Sequence, residues 1–190
     1  MLYRRGFGFA DVDNGKIAHG ETVYLAASVS KVIGGTLAVK LQNEGRLRDG
    51  QIVNLNLNNT TGSYLTNVRK SDNSLVTLSA EHTHTLAQLY AHLGCLKHYD
   101  GVSPSIRQYD KAIDALTQIW DPNRALLSNC IANTGESHYS THAHTYLAAV
   151  LENITGKSAA RLVRSEIAVP YGLKTMRAQF TTRNLLPDYN

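Results

Sequence analysis

Apolar residues follow two different periods along this chain. Over residues 2–12 they roughly alternate with polar ones, and Asp13-Asn14-Gly15 then offers a strong turn before Lys16-Ile17-Ala18. That pattern predicts a β-hairpin near the N-terminus. The short apolar run Thr22–Ala26 leads into a helical period, with apolar residues at 29, 32, 33, 37, 38 and 41. A helix is predicted over Ser28–Glu44, with Gly45 in the C′ position. Gly34 and Gly35 interrupt it, each costing about 1 kcal/mol relative to Ala in a helix interior. Close packing against a neighbour is the physical reason to keep them, so this helix is predicted to be central.

Asn54–Ser74, rich in Asn, Thr, Ser and Gly, reads as loop. A second helix is predicted at Thr85–Leu93, with Thr85 as N-cap and Gly94 as its stop. A third is predicted at Asp110–Trp120, closed by Pro122. Tyr146, Leu147, Val150, Leu151 and Ile154 keep helical register within Thr141–Ile154, ahead of Thr155-Gly156. A last helix over Ser158–Ala168 ends at Val169-Pro170. Helix dominates, and strand signal gathers near the N-terminus.

Composition narrows the class. With 43% hydrophobic and 18% charged residues in 190, the chain is an ordinary globular one. Its 19 basic and 15 acidic residues leave a net charge of +4. The basic residues are scattered and not interleaved with aromatics, which argues against a nucleic-acid partner. No apolar run approaches a membrane span. Met1-Leu-Tyr-Arg-Arg-Gly6 has no apolar stretch behind its arginines, so no signal peptide is visible. Cys95 and Cys130 lack zinc-ligand spacing and read as two ordinary thiols. Neither repeats nor a linker divide the chain, which predicts one domain over 1–190.

Two short segments carry chemistry. In Ser28-Val-Ser-Lys31 the serine and lysine are three residues apart, on one face of a helix, so the amine can reach Ser28 Oγ. The positive end of the helix dipole favours a developing oxyanion there. His138-Tyr-Ser-Thr141 precedes the best-patterned helix. A phenol whose pKa is lowered by a nearby lysine can act as general base towards a serine. Ser28, Lys31 and Tyr139 would then form a nucleophile–base cluster supported by Thr141. Taken alone, a Tyr-Ser-Thr segment before a helix is usually just a cap.

Six blocks in order resemble the serine β-lactamase and penicillin-binding-protein-like family, in particular its class C, family VIII esterase and D-aminopeptidase-type members. They are Arg5-Gly-Phe-Gly-Phe-Ala-Asp-Val12; Tyr24-Leu-Ala-Ala-Ser-Val-Ser-Lys31 with Asn43-Glu-Gly-Arg-Leu47; Thr85 to Leu96; Tyr139-Ser-Thr141; Glu152 to Ser158; and Pro170-Tyr-Gly-Leu-Lys-Thr-Met176. His98-Tyr99, and Thr rather than Asn at 141, are similar to the branch of mitochondrial serine β-lactamase-like proteins and their bacterial relatives. The resemblance implies an α+β, β-lactamase/transpeptidase-like fold. Mostly its helical part would be present, with an N-terminal β-hairpin and an incomplete antiparallel sheet.

By the same resemblance Ser28 is the acylated nucleophile, and Lys31 and Tyr139 share general-base duty. Ser140 and Thr141 support the substrate side, and Ser28 N–H supplies half of an oxyanion hole. Lactams, esters or D-amino-acid peptides would be hydrolysed through an acyl-enzyme, without metal or organic cofactor. The partners implied are a small-molecule or peptide acyl substrate and a second copy meeting an exposed sheet edge. The blocks lack the family's first helix and strand and its third motif, a Lys-Thr-Gly or His-x-Gly on a late strand. A domain incomplete at both ends is therefore expected, and the absent oxyanion donor counts against activity of these residues alone. Gly94-Cys95 also replaces the usual Ser-Gly. The alternative reading is an inactive relative that serves as a binding or assembly module.

Eight histidines invite a metal reading through His82-x-His84 or His138, His142 and His144. No carboxylate or cysteine completes a known ligand pattern, so exposed or hydrogen-bonded histidines are expected. His92 is expected to make a structural hydrogen bond at a loop–helix junction. Sequons at Asn58, Asn59 and Asn153 carry meaning only in a secreted chain.

Overall fold

The computed structural model describes residues 3–77, 84–98, 109–119 and 136–178. The described residues divide into two compact units, those of 3–27 with Ala178, and those within 28–177. In the first, strands β1 (Phe9–Asp11) and β2 (Lys16–Ile17) pair antiparallel with a register irregularity at Phe9/Asp11. The predicted turn closes them. Asp11 accepts from the Asn14 backbone and side-chain nitrogens, and Gly15 takes the left-handed conformation, φ 63°.

The second unit is helical. A 3₁₀ turn at Ala27–Val29 runs into α1 (Ser30–Glu44), which Gly45 ends at φ 63° by returning its N–H to Leu41. Of the glycine pair, Gly35 has the expected use, whereas a Cβ on Gly34 would meet nothing within 4 Å. A Cβ on Gly35 would stand 3.3 Å from the Tyr90 ring, and Tyr90 Oη donates to the Gly34 carbonyl at 2.9 Å. The rest of that expectation is corrected. Leu37, Ala38 and Leu41 of α1 are buried, but Val29, Val32 and Val39 are 64, 68 and 47% exposed.

The central helix is α4 (Thr141–Thr155), which packs against α1, against α2 (Leu86–Tyr90), against α3 (Ala112–Ile119) and against α5 (Ala159–Leu162). Its buried residues, from His142 and Ala143 through Tyr146 and Val150 to Thr155, lie on several sides of the helix. A helix apolar over so much of its circumference belongs inside.

Three boundaries differ from expectation. α2 has its predicted Thr85 cap, completed by Gln88 as a capping box, but ends before Leu93 because His92 turns left-handed at φ 58°. α3 starts at Ala112 and is followed to Ile119; Trp120 and Pro122 lie outside the described residues. The final helix begins with its Ser158 cap as α5 and continues as a π-helical turn over Val163–Ala168.

The loop over 54–74 contains more structure than its polarity suggests. It holds a 3₁₀ turn at Thr61–Ser63 and strand β3 (Val68–Arg69), which pairs antiparallel with β4 (Leu75–Val76). Asp72 accepts from Ser74 N at 2.9 Å, and Asn73 is left-handed at φ 66°. The turn thus forms from side-chain-to-backbone bonds that a hydrophobic period cannot reveal.

Cys95 is corrected as well: it is 4% exposed and disulfide-bonded, not a thiol. The chain's only other cysteine, Cys130, lies outside the described residues. Sequence separation says nothing about the Cα distance that permits a bridge. Among the described residues, no helix is long and apolar enough to cross a membrane. The same residues contain no group of three or more His, Cys, Asp or Glu able to hold a metal ion; His82 is not among them.

Candidate active site

Ser28 lies in the 3₁₀ turn that opens α1, straight after Ala27, whose φ of +43° is uncommon for a residue with a Cβ. The strain sits beside the residue whose hydroxyl would react, as backbone strain often does. Lys31 is one turn on, in the first turn of α1, and its Nζ donates to Ser28 Oγ at 3.0 Å. Thus the i, i+3 spacing does bring amine to hydroxyl.

Tyr139 arrives from 111 residues away, and its Oη lies 2.7 Å from Ser28 Oγ. Lys31 Nζ also stands over the Tyr139 ring, 5.0 Å from its centroid. The Tyr139 phenol is held below its ordinary pKa of 10.0. The cause is first the hydrogen bond from Lys31, then that from Ser28, with a smaller contribution from the Thr141 side chain. A cation and a hydroxyl at the oxygen stabilise its charged form, so that the phenolate, the form able to accept a proton, is reached at lower pH than in a free tyrosine.

Ser140 and Thr141 flank the site in different ways. Ser140 is 1% exposed and its hydroxyl donates to the Lys97 carbonyl at 2.7 Å, so it anchors the segment beside Tyr139. Thr141 is half-buried at the first position of α4, and its backbone N–H donates to His98 Nδ1 at 3.2 Å. The α1 N-terminus has no side-chain cap.

The histidines are arranged around Tyr139. His92 Nδ1 accepts from Ser140 N at 3.2 Å, the junction bond expected of it. Its ring lies 4.6 Å from that of Tyr139 and 5.6 Å from that of His144. The His98 ring lies 5.4 Å from that of Tyr139, edge to face. Burial, with Lys31 and His98 as further causes, lowers the His92 pKa, and burial brings that of His144 down to about 4. Both shifts favour the neutral ring.

His98, singled out in the sequence only by a family resemblance, is the part of this arrangement that pattern reading missed. The signal was a histidine two residues after a buried apolar residue, and it has no period. A shallow groove lined by Thr36, Val39, Lys40, Asn43 and Glu44 runs farther along α1 and contains none of the three converging residues.

The sequence profile of the Beta-lactamase family matches residues 1–180. Protein flp of Staphylococcus aureus strain MW2 is 24% identical over 176 residues, covering 92% of this chain and 32% of that protein. This chain therefore spans about a third of the length of that relative. Among solved structures, FmtA from Staphylococcus aureus superposes with a TM-score of 0.65 at 23% identity, covering 89% of this chain and 41% of FmtA. The octameric penicillin-binding protein homologue from Pyrococcus abyssi gives 0.63 at 17% identity, over 97% and 39%. A D-stereospecific amidohydrolase from Streptomyces sp. gives 0.55 at 19%, over 82% and 44%. These likenesses show a β-lactamase/transpeptidase-like fold, here helix-rich with small antiparallel sheets. With a profile match running through the serine, lysine and tyrosine blocks alike, the chain belongs to the Beta-lactamase family.

Proposed function

We propose that the chain carries the nucleophile and base of a serine acyl hydrolase acting on lactam, ester or D-amino-acid amide carbonyls. The observation that supports this is Ser28 Oγ within 2.7 Å of the Tyr139 phenol and 3.0 Å of Lys31 Nζ. In the first step Ser28 Oγ forms a bond to the acyl carbon while its proton passes to Tyr139 Oη, kept in its charged, proton-accepting form by Lys31. The carbonyl oxygen becomes an oxyanion, for which Ser28 N–H at the helix start is a donor. The tetrahedral adduct then breaks its bond to the leaving nitrogen or oxygen, which takes the proton back from Tyr139. Water, activated by the same base, hydrolyses the resulting ester on Ser28.

The Streptomyces neighbour, a D-stereospecific amidohydrolase, supports an amide substrate class without specifying it. The proposal expects a fluorescent penicillin or a fluorophosphonate to add to the intact chain. The mass increase should localise to Ser28, and Ser28→Ala should not be labelled. No adduct under conditions that label a penicillin-binding enzyme would sink it.

A second reading, a binding or assembly module, draws on the open site, where Tyr139 is 47% exposed, and on the apolar hairpin. Phe7, Phe9 and Ile17 there are 71, 59 and 70% exposed. An unlabelled chain that still self-associates after Ser28→Ala fits that reading instead.

A further inference from the structure

Tyr139 reaches Ser28 from the segment just before α4, and the residue is 47% exposed. A tyrosine so placed is not fixed by burial. A base displaced by about 1 Å can lose about 100-fold in rate, so something must hold its backbone. The segment 138–141 makes four hydrogen bonds to the loop between α2 and Lys97-His98. His138 N donates to the His92 carbonyl at 2.8 Å, and Ser140 N to His92 Nδ1 at 3.2 Å. Ser140 Oγ donates to the Lys97 carbonyl at 2.7 Å, and Thr141 N to His98 Nδ1 at 3.2 Å. Two of the four end on imidazole nitrogens, and those two rings lie 4.6 and 5.4 Å from the Tyr139 ring. The left-handed backbone of His92, φ 58°, presents its carbonyl and its ring to the same short segment.

We propose that His92 and His98 are positioning residues that hold the Tyr139 phenol at Ser28 by accepting the Ser140 and Thr141 backbone N–H groups at Nδ1. An imidazole can accept at Nδ1 only when neutral with its proton on Nε2. A protonated ring would turn an N–H towards the backbone N–H and break the anchor. The groups facing the pair bear on that proton. Lys31 from α1, and His142 and His144 from α4, surround the two rings together with Tyr139 itself. The Lys31 cation opposes a second positive charge at His92. One lysine therefore activates the phenol and keeps its anchor neutral. The kinetic readout of this proposal rests on Ser28 being acylated; its spectroscopic readouts do not.

Nitrogen-15 spectra of the imidazoles at mildly alkaline pH should show Nδ1 bare and Nε2 protonated on both His92 and His98. A proton on Nδ1 of either overturns the assignment. His98→Leu removes one acceptor, whereas His98→Asn keeps an oxygen acceptor at the same branch point. Fluorophosphonate labelling of Ser28 should fall about 100-fold in His98→Leu and recover in His98→Asn. The Tyr139 phenol, titrated by phenolate absorbance against a Tyr139→Phe reference, should shift up in His98→Leu and return in His98→Asn. Equal labelling and equal phenol titration in His98→Leu and the parent overturn the proposal. If the parent is not labelled, the hydrolase reading fails, while tautomers and phenol titration still decide this one. If His98→Leu does not fold, the tautomers and His98→Asn decide, and an Asn variant whose phenol titrates like free tyrosine overturns it.

Discussion

Two lysines of α1 show how neighbours assign a side chain its work. Lys31, near the helix start, donates to Ser28 and stands over Tyr139, so its charge is directed at an oxygen that could take a proton. Lys40, about two and a half turns on, donates to Glu44 at 2.5 Å and to the buried Glu166 at 3.3 Å. Glu166, 2% exposed, also accepts from Arg48 N at 3.3 Å and Ser165 Oγ at 3.0 Å. Burial opposes the charge on Lys40, but the bonds to Glu44 and Glu166 outweigh it and its pKa rises above 10.5. The folded chain therefore holds this proton more tightly than the unfolded one. The stability from that linkage is fully present below about pH 10.5 and is lost as pH rises through the raised value. Lys40→Met should destabilise by about 3 kcal/mol at neutral pH, because Glu166 stays buried without its cation. It should also remove this part of the alkaline loss; urea denaturation across pH measures both.

At the scale of elements, Glu152 explains a block that the sequence could only match by resemblance. From the last turn of α4 its two carboxylate oxygens accept from Ala112 N at 2.7 Å and Ala159 N at 2.9 Å. Those are the first residues of α3 and α5, so one side chain on the central helix satisfies free N–H groups at two other helix starts. Hydrogen bonds to a charged group contribute roughly 1.5–3 kcal/mol each, so Glu152→Ala should destabilise by about 3 kcal/mol or more. Glu152→Gln should lose less, since it keeps one acceptor oxygen. Thermal unfolding of the two variants gives the comparison. The Thr85–Gln88 capping box does the same locally for α2, and its spacing was readable because both partners lie within one turn.

For the whole molecule, order should follow where apolar contacts gather. Leu37, Leu41, Tyr146, Val150 and Leu162 form part of one buried cluster in the second unit. β1 and β2 are a two-stranded ribbon of three and two residues, and Phe9 and Ile17 are exposed. A hairpin of that size has little stability of its own. Amide hydrogen exchange should therefore find Phe9–Ile17 near the free rate and Leu37–Leu41 and Tyr146–Leu151 strongly protected. Comparable protection in both regions would contradict this reading.

The sequence by itself determined what depends on near neighbours. The i, i+3 relation of Ser28 and Lys31, the left-handed glycine ends at Gly45 and Gly156, the Asp13-Asn14-Gly15 turn and the register of α4 all follow from one or two turns of chain. The tertiary structure decided what joins distant segments. It brought Tyr139 to Ser28 across 111 residues and seated Ser140 and Thr141 on His92 and His98 across 48 and 43. It also put Glu166 beneath Lys40, bonded Cys95 as a disulfide and made α4 the central helix in place of α1. A hydrophobic period says which face of a helix is buried but not against what. Hydrogen bonds between side chains and remote backbone leave no period at all.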